Sequence, residues 1–153
     1  MEIHFMDDCS EEQVNNVVRI SWVTLMAVRN GKFVFVKRRS TGTLELPRLG
    51  SEDNEKPSKT VRRLLGDVLG AVSYSVKFSG VYSVTSDTDV DYGILYFADI
   101  ESMGPFPRSD EYSGCYFLSD PPEDSDKWSF FVTDKPLFEK AFNDNKHMLT
   151  REE

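Results

Sequence analysis

The segment Pro57-Ser58-Lys59-Thr60-Val61-Arg62-Arg63-Leu64-Leu65-Gly66-Asp67-Val68-Leu69-Gly70 constrains the fold of this chain most. Val61, Leu64, Leu65, Val68 and Leu69 recur at i, i+3, i+4, i+7 and i+8, the apolar stripe of one amphipathic helix. Pro57 suits the first helical turn, where a missing N–H leaves nothing unsatisfied. Gly70 suits the left-handed residue that stops a helix. So wide a stripe needs a partner surface, and the flanking sequence supplies strands. Residues 17–28 are rich in Val, Ile, Trp and Thr, which fit a pleated, half-buried surface. Asn30-Gly31 is a strong hairpin signal because both residues tolerate positive φ. Phe33 to Lys37 follows as a central strand, so residues 17–38 read as an antiparallel hairpin.

Leu44 to Pro47 reads as a short extended piece, since the residue before a proline avoids the helical region. Leu49 to Lys56 reads as a polar, acidic loop. Residues 73–85 form one long or two short strands, with Gly80 as a bulge or bend. Tyr92–Ile100 and Tyr112–Leu118 are further strands, and Pro121-Pro122 ends the last of them. Pro136–Phe142 predicts a second helix with Leu137, Phe138 and Ala141 on one face, followed by a charged tail from Asn143 that should fray. Near the N-terminus, Asp8 or Ser10 can cap a short helix through Glu12 and Val14. The order hairpin, helix, strands, helix predicts an α/β (α+β) fold, a mixed β-sheet sandwiched between helices.

A length of 153 residues suits a single domain, 1–153, with its core over about 17–142. A net charge of −8 argues against binding along nucleic-acid backbones, which takes a surplus of Lys and Arg. It allows a small anionic ligand met by a few local basic groups. The longest apolar run, Trp22 to Val28, is too short to span a bilayer. The first residues lack a basic flank followed by an apolar stretch, so the expected location is the cytoplasm. Cys9 and Cys115 make no disulfide framework, and Cys115 reads as a buried structural thiol. His4 and His147 lie near opposite ends with no metal-ligand spacing.

The stretch Leu44 to Ala71 resembles the signature of the Nudix pyrophosphohydrolase superfamily, G-x5-E-x7-R-E-U-x-E-E-x-G-U with U aliphatic. Glu45-Leu46-Pro47 matches the E-L-P that precedes the glycine pair, Glu55 the first glutamate, Arg63 the arginine, Leu65 the aliphatic position and Gly70 the closing glycine. Spacing is kept without a gap. The upstream hairpin ending in Lys37-Arg38-Arg39, the later strands and the final helix also sit where such proteins place them. The resemblance spans about residues 17–142 and implies the Nudix fold, with Pro47, Arg63 and Gly70 as structural landmarks.

The same resemblance implies a chemistry. Family members hold Mg²⁺ or Mn²⁺ between the box helix and a substrate diphosphate. Carboxylates at i, i+3 and i+4 share one helical face, and the metals neutralise charge and polarise a water. Here the glycine pair is replaced by Arg48 and Leu49, and the metal face reads Leu64, Asp67, Val68. One carboxylate remains of three. The expected catalytic residues are Glu55 and Asp67, and the expected metal ligands are Asp67, Glu52 and Glu55, with Asp53 or Glu101 as relocated alternatives. Arg38, Arg39 and Glu45 are expected to bind substrate, with Lys37 as a further basic group. Tyr82, Tyr92, Tyr96, Phe97 and Trp128 either stack on a substrate ring or fill the core. The expected ligand is a small nucleotide or nucleotide derivative. Three readings stay open: a pyrophosphohydrolase of weak or rearranged activity, a non-catalytic nucleotide binder, and an interaction module or homodimer using an apolar Leu64/Val68 face.

Overall fold

The computed structural model describes residues 1–6, 9–13 and 19–149. Asp8, Val14 and the start of the first hairpin strand at Val17 lie outside them. The strands are β1 (Glu2–Phe5), β2 (Ile20–Arg29), β3 (Lys32–Arg38), β4 (Leu44–Glu45), β5 (Arg48–Gly50), β6 (Ala71–Thr85), β7 (Val90–Met103) and β8 (Tyr112–Leu118). They form one sheet in the order β1-β6-β7-β2-β3-β4, with β5 added to β2 and β8 to β3. The β2–β7 pair is parallel and the others are antiparallel, so the sheet is mixed. Helix α1 (Pro57–Arg63) runs into a π-helical turn at Leu64–Val68, and α2 covers Phe131–Leu149.

The central strands are buried on both faces, and their period of two divides the core. Val23, Leu25, Ala27, Val34, Val36, Ile94 and Tyr96 face α1 and the π turn, where Val61, Leu64, Leu65 and Leu69 meet them. Met26, Val28, Phe33, Phe35, Leu95 and Phe97 face α2, which contributes Leu137, Phe138 and Ala141. The expected sheet between helices is the architecture found.

The hairpin turns at Asn30 and Gly31, with φ of 51° and 76°. The register slips between Phe78 and Gly80, where the bend was expected. Ser10 caps as expected: its Oγ accepts from the Gln13 N–H at 3.2 Å, and Gln13 Oε1 accepts from the Ser10 N–H at 3.0 Å.

Three expectations are corrected. Leu49 and Gly50, expected to open the acidic loop, belong instead to strand β5, in which Gly50, Leu49 and Arg48 pair with Trp22, Val23 and Thr24. The helix over 57–70 is not uniformly α: the Leu69 N–H donates to the Leu64 carbonyl at 3.1 Å, five residues back. The second helix starts before Pro136 and continues past Asn143 to Leu149. Asp134 anchors its first turn by accepting from the Leu46 N–H at 3.0 Å. Past Asn143, Lys140 pairs with Asp144 at 2.9 Å and Asn145 donates to the Ala141 carbonyl at 2.8 Å.

Candidate functional site

Gly70 adopts φ +78°, and a Cβ there would lie 2.7 Å from the Pro105 carbonyl oxygen, so only glycine closes this turn. Ahead of it, the box arginine is spent on the box glutamate. Arg63 donates to both Glu55 oxygens, at 2.6 and 2.7 Å. Thr60 Oγ1 and the Glu52 N–H add bonds of 2.8 and 3.1 Å to the same carboxylate. Arg63 holds the Glu55 carboxyl down at about 2, against a burial effect of opposite sign. Its side chain is only 4% exposed, and its oxygens are already committed to these donors.

The metal face is dismantled. Leu64 is fully buried in the core, Val68 is half-buried against it, and Asp67 stands exposed on the π turn. Glu52 is 68% exposed and reaches only Arg63, at 3.4 Å. Asp53 pairs with Arg19, and Glu101 on β7 accepts from Ser73. The expected metal group of Asp67, Glu52 and Glu55 therefore does not assemble. Among the described residues no three His, Cys, Asp or Glu side chains come together as a cation would require. A hard divalent cation needs several oxygen ligands in a near-fixed array, and these residues do not fit one.

A pocket of about 250 Å³ opens elsewhere, on the face of the sheet that carries α2. Trp22, Tyr92 and Phe130 give it aromatic walls, with Tyr82 and Leu137 beneath. Arg38 and Arg48 also line it, whereas no residue of 51–68 does. Phe130 lies against both guanidinium groups, 5.3 Å from Arg38 and 4.7 Å from Arg48.

Both arginines already have buried anionic partners. Arg38 grips Glu45 with two bonds of 2.7 and 2.9 Å, and Arg48 pairs with Asp134. Both carboxylate side chains are fully buried. Tyr112 donates to Glu45 at 3.2 Å, its phenol pushed well above the ordinary range by burial and then by the Glu45 charge. Burial pushes the Asp134 carboxyl up, with Arg48 pulling against it. Glu45 thus sits beneath the pocket as the counterion of Arg38 and does not line it. Arg39 faces away, donating to the Ser109 and Tyr112 carbonyls at 3.0 and 3.3 Å. Lys37 covers the Tyr116 ring at 5.4 Å. Tyr96, Phe97 and Trp128 are core residues, while Tyr82 and Tyr92 reach the pocket. Pro47 joins the frame, its carbonyl accepting from the Leu25 N–H at 2.9 Å.

Sequence reasoning missed Trp22, Arg48, Phe130 and Asp134 as one constellation. One signal was present: an arginine at the first position of a glycine pair must send a large charged side chain somewhere. Tyr82 fits under the pocket only because its neighbour is Gly93, where a Cβ would lie 2.3 Å from the Tyr82 ring. The phenol then meets Thr24 Oγ1 at 2.8 Å.

No family model and no curated protein matches the chain. Solved structures do. A mutant of the Bacillus subtilis pyrophosphohydrolase BsRppH aligns over 94% of this chain and 90% of its own, with a TM-score of 0.75 and 22% identity. The Nudix domain of Shewanella oneidensis NrtR, solved with ADP ribose, aligns over 90% and 94%, with a TM-score of 0.65 and 14% identity. An ADP-ribose pyrophosphatase from Streptococcus suis aligns over 82% and 90%, with a TM-score of 0.59 and 10% identity. Sheet order, the helices on its two faces and these likenesses identify the chain as a Nudix-fold protein.

Proposed function

We propose that this protein binds a nucleotide-derived small molecule in the Trp22–Phe130 pocket and does not use a divalent metal to hydrolyse it. The observation that carries the reading is the pairing of a formed pocket with a dismantled metal face. Leu64 is packed into the core, and Glu55 is locked by Arg63. Residues that act as one catalytic unit lose orders of magnitude in rate when one is removed, and here two of three are gone. The NrtR domain solved with ADP ribose supports the ligand class. No helix among the described residues is long and apolar enough to cross a membrane.

The second reading, a weak pyrophosphohydrolase, draws on the names of the similar structures. It would have to work through Asp67 and Glu52, which share no ligand geometry here. A thermal-shift panel of nucleosides, nucleoside mono- and diphosphates, ADP ribose and nucleotide sugars separates the two. The binder predicts a rise in melting temperature with at least one compound, equal in EDTA and in Mg²⁺, with no phosphate or nucleoside monophosphate released. Mg²⁺-dependent turnover of any compound would establish the second reading. No shift with any compound would remove the first.

A further inference from the structure

Size and charge together decide which part of such a ligand the pocket selects. We infer that it recognises an uncharged planar heteroaromatic group, a nucleobase or nucleoside, and that phosphates on the same molecule weaken binding. This rests on the reading of the Trp22–Phe130 pocket as the ligand site. At about 250 Å³ the pocket falls below the range of about 300–1,000 Å³ that encloses larger ligands. Its walls enclose about one ring system, and the rest of a larger ligand would lie in solvent.

The walls suit such a group. Trp22 and Phe130 are 45% and 40% exposed, whereas the other tryptophan, Trp128, is 4% exposed. Trp22 takes no ring partner among the described residues, so its face is open to stacking.

The charges exclude the alternative. The two pocket arginines are each matched by a buried carboxylate, Glu45 and Asp134. Two further carboxylates line the pocket: Asp91 is exposed, and Glu111, 55% exposed, reaches Arg38 at 3.5 Å, while Met1 adds its terminal ammonium. Two arginines and the Met1 ammonium therefore stand against four carboxylates, two of them buried beneath the pocket, in a chain of net charge −8. A diphosphate would enter a field of net negative sign, and among the described residues no group of side chains that could hold a metal ion stands beside it to reverse the balance. An uncharged base meets no such repulsion, and its N–H groups find acceptors in Asp91 and Glu111.

Tryptophan fluorescence titrations test this, because Trp22 is the exposed one of two tryptophans. Adenosine, guanosine, cytidine and uridine are compared with their 5′-mono- and diphosphates in EDTA at low salt. At least one nucleoside should quench, and affinity should fall by about threefold or more per phosphate, less so at high salt. Glu111→Gln with Asp91→Asn should narrow the gap between nucleoside and monophosphate. Trp22→Leu, followed by thermal shift, should lose the nucleoside while keeping the parent melting temperature without ligand. Nucleoside diphosphates that bind more tightly than nucleosides, in EDTA or with Mg²⁺, would overturn the inference and leave the pocket standing as a nucleotide site. No response to any nucleoside or nucleotide would remove both.

Discussion

The position at which a Nudix box carries its first helix glutamate after the arginine is here Leu64, and restoring a carboxylate should damage the protein instead of reviving a metal site. Leu64 is 0% exposed and lies among Val61, Leu65, Leu69 and the sheet residues above them. Full burial of such a leucine contributes about 1.5–3 kcal/mol. A carboxyl with an ordinary pKa near 4.3, forced to stay neutral there at pH 7, costs about 3.8 kcal/mol more, at about 1.4 kcal/mol per pH unit. Leu64→Glu should therefore lose about 5–7 kcal/mol, a large part of the roughly 5–15 kcal/mol that keeps a domain folded. For a chain of this size that is roughly 10–28 °C in melting temperature.

The sign with pH is fixed. The introduced carboxyl binds its proton more tightly folded than unfolded, so its ionisation penalty is absent below about pH 4 and grows as pH rises. Melting curves by circular dichroism from pH 4 to 8 read this directly. Val68→Glu is the control: half-buried at the end of the π turn, it should cost about 1 kcal/mol or less. A Leu64→Glu protein that melts with the parent at pH 7, or that Mg²⁺ stabilises, would show that position 64 points outward and that the metal face is intact in geometry.

Three further outcomes follow from the same packing. Glu55 is held at about 2 by Arg63, below its ordinary 4.5, so it stabilises the fold above pH 4.5 and loses that contribution as pH falls toward 2. The melting-temperature gap between parent and Glu55→Gln should therefore narrow over that interval. Asp134→Leu should cost about 3–5 kcal/mol in urea unfolding by leaving Arg48 buried without its partner. Adding Arg48→Met should recover much of that loss, and strictly additive costs would refute a coupled pair. Gly93→Ala places a methyl 2.3 Å from the Tyr82 ring, which should cost about 1–3 kcal/mol and weaken any ligand that quenches Trp22. Unchanged stability and affinity would mean that the cradle is not needed.

The fold was legible from local patterns because its signals are short-range. The 3.6-residue stripe of 57–70, the period-two strands and the Asn30-Gly31 turn each depend on neighbours in sequence. The resemblance carried by residues Glu45 to Gly70 implied which fold those elements build. Side-chain direction was not legible. The same residues that read as a continuous α-helix switch to π bonding over Leu64–Val68, with Leu64 buried as its place on the apolar stripe requires and Asp67 left exposed. The length of α2 was hidden too, since Asp134 holds its first turn through partners 86 and 88 residues away. Arg38 and Glu45 were expected at the ligand site, but only packing shows that they neutralise each other. Sequence by itself determined that this chain folds as a Nudix scaffold with a depleted metal face. Tertiary structure decided where a ligand pocket opens and how little positive charge it can offer, because both depend on which distant side chains share one buried volume.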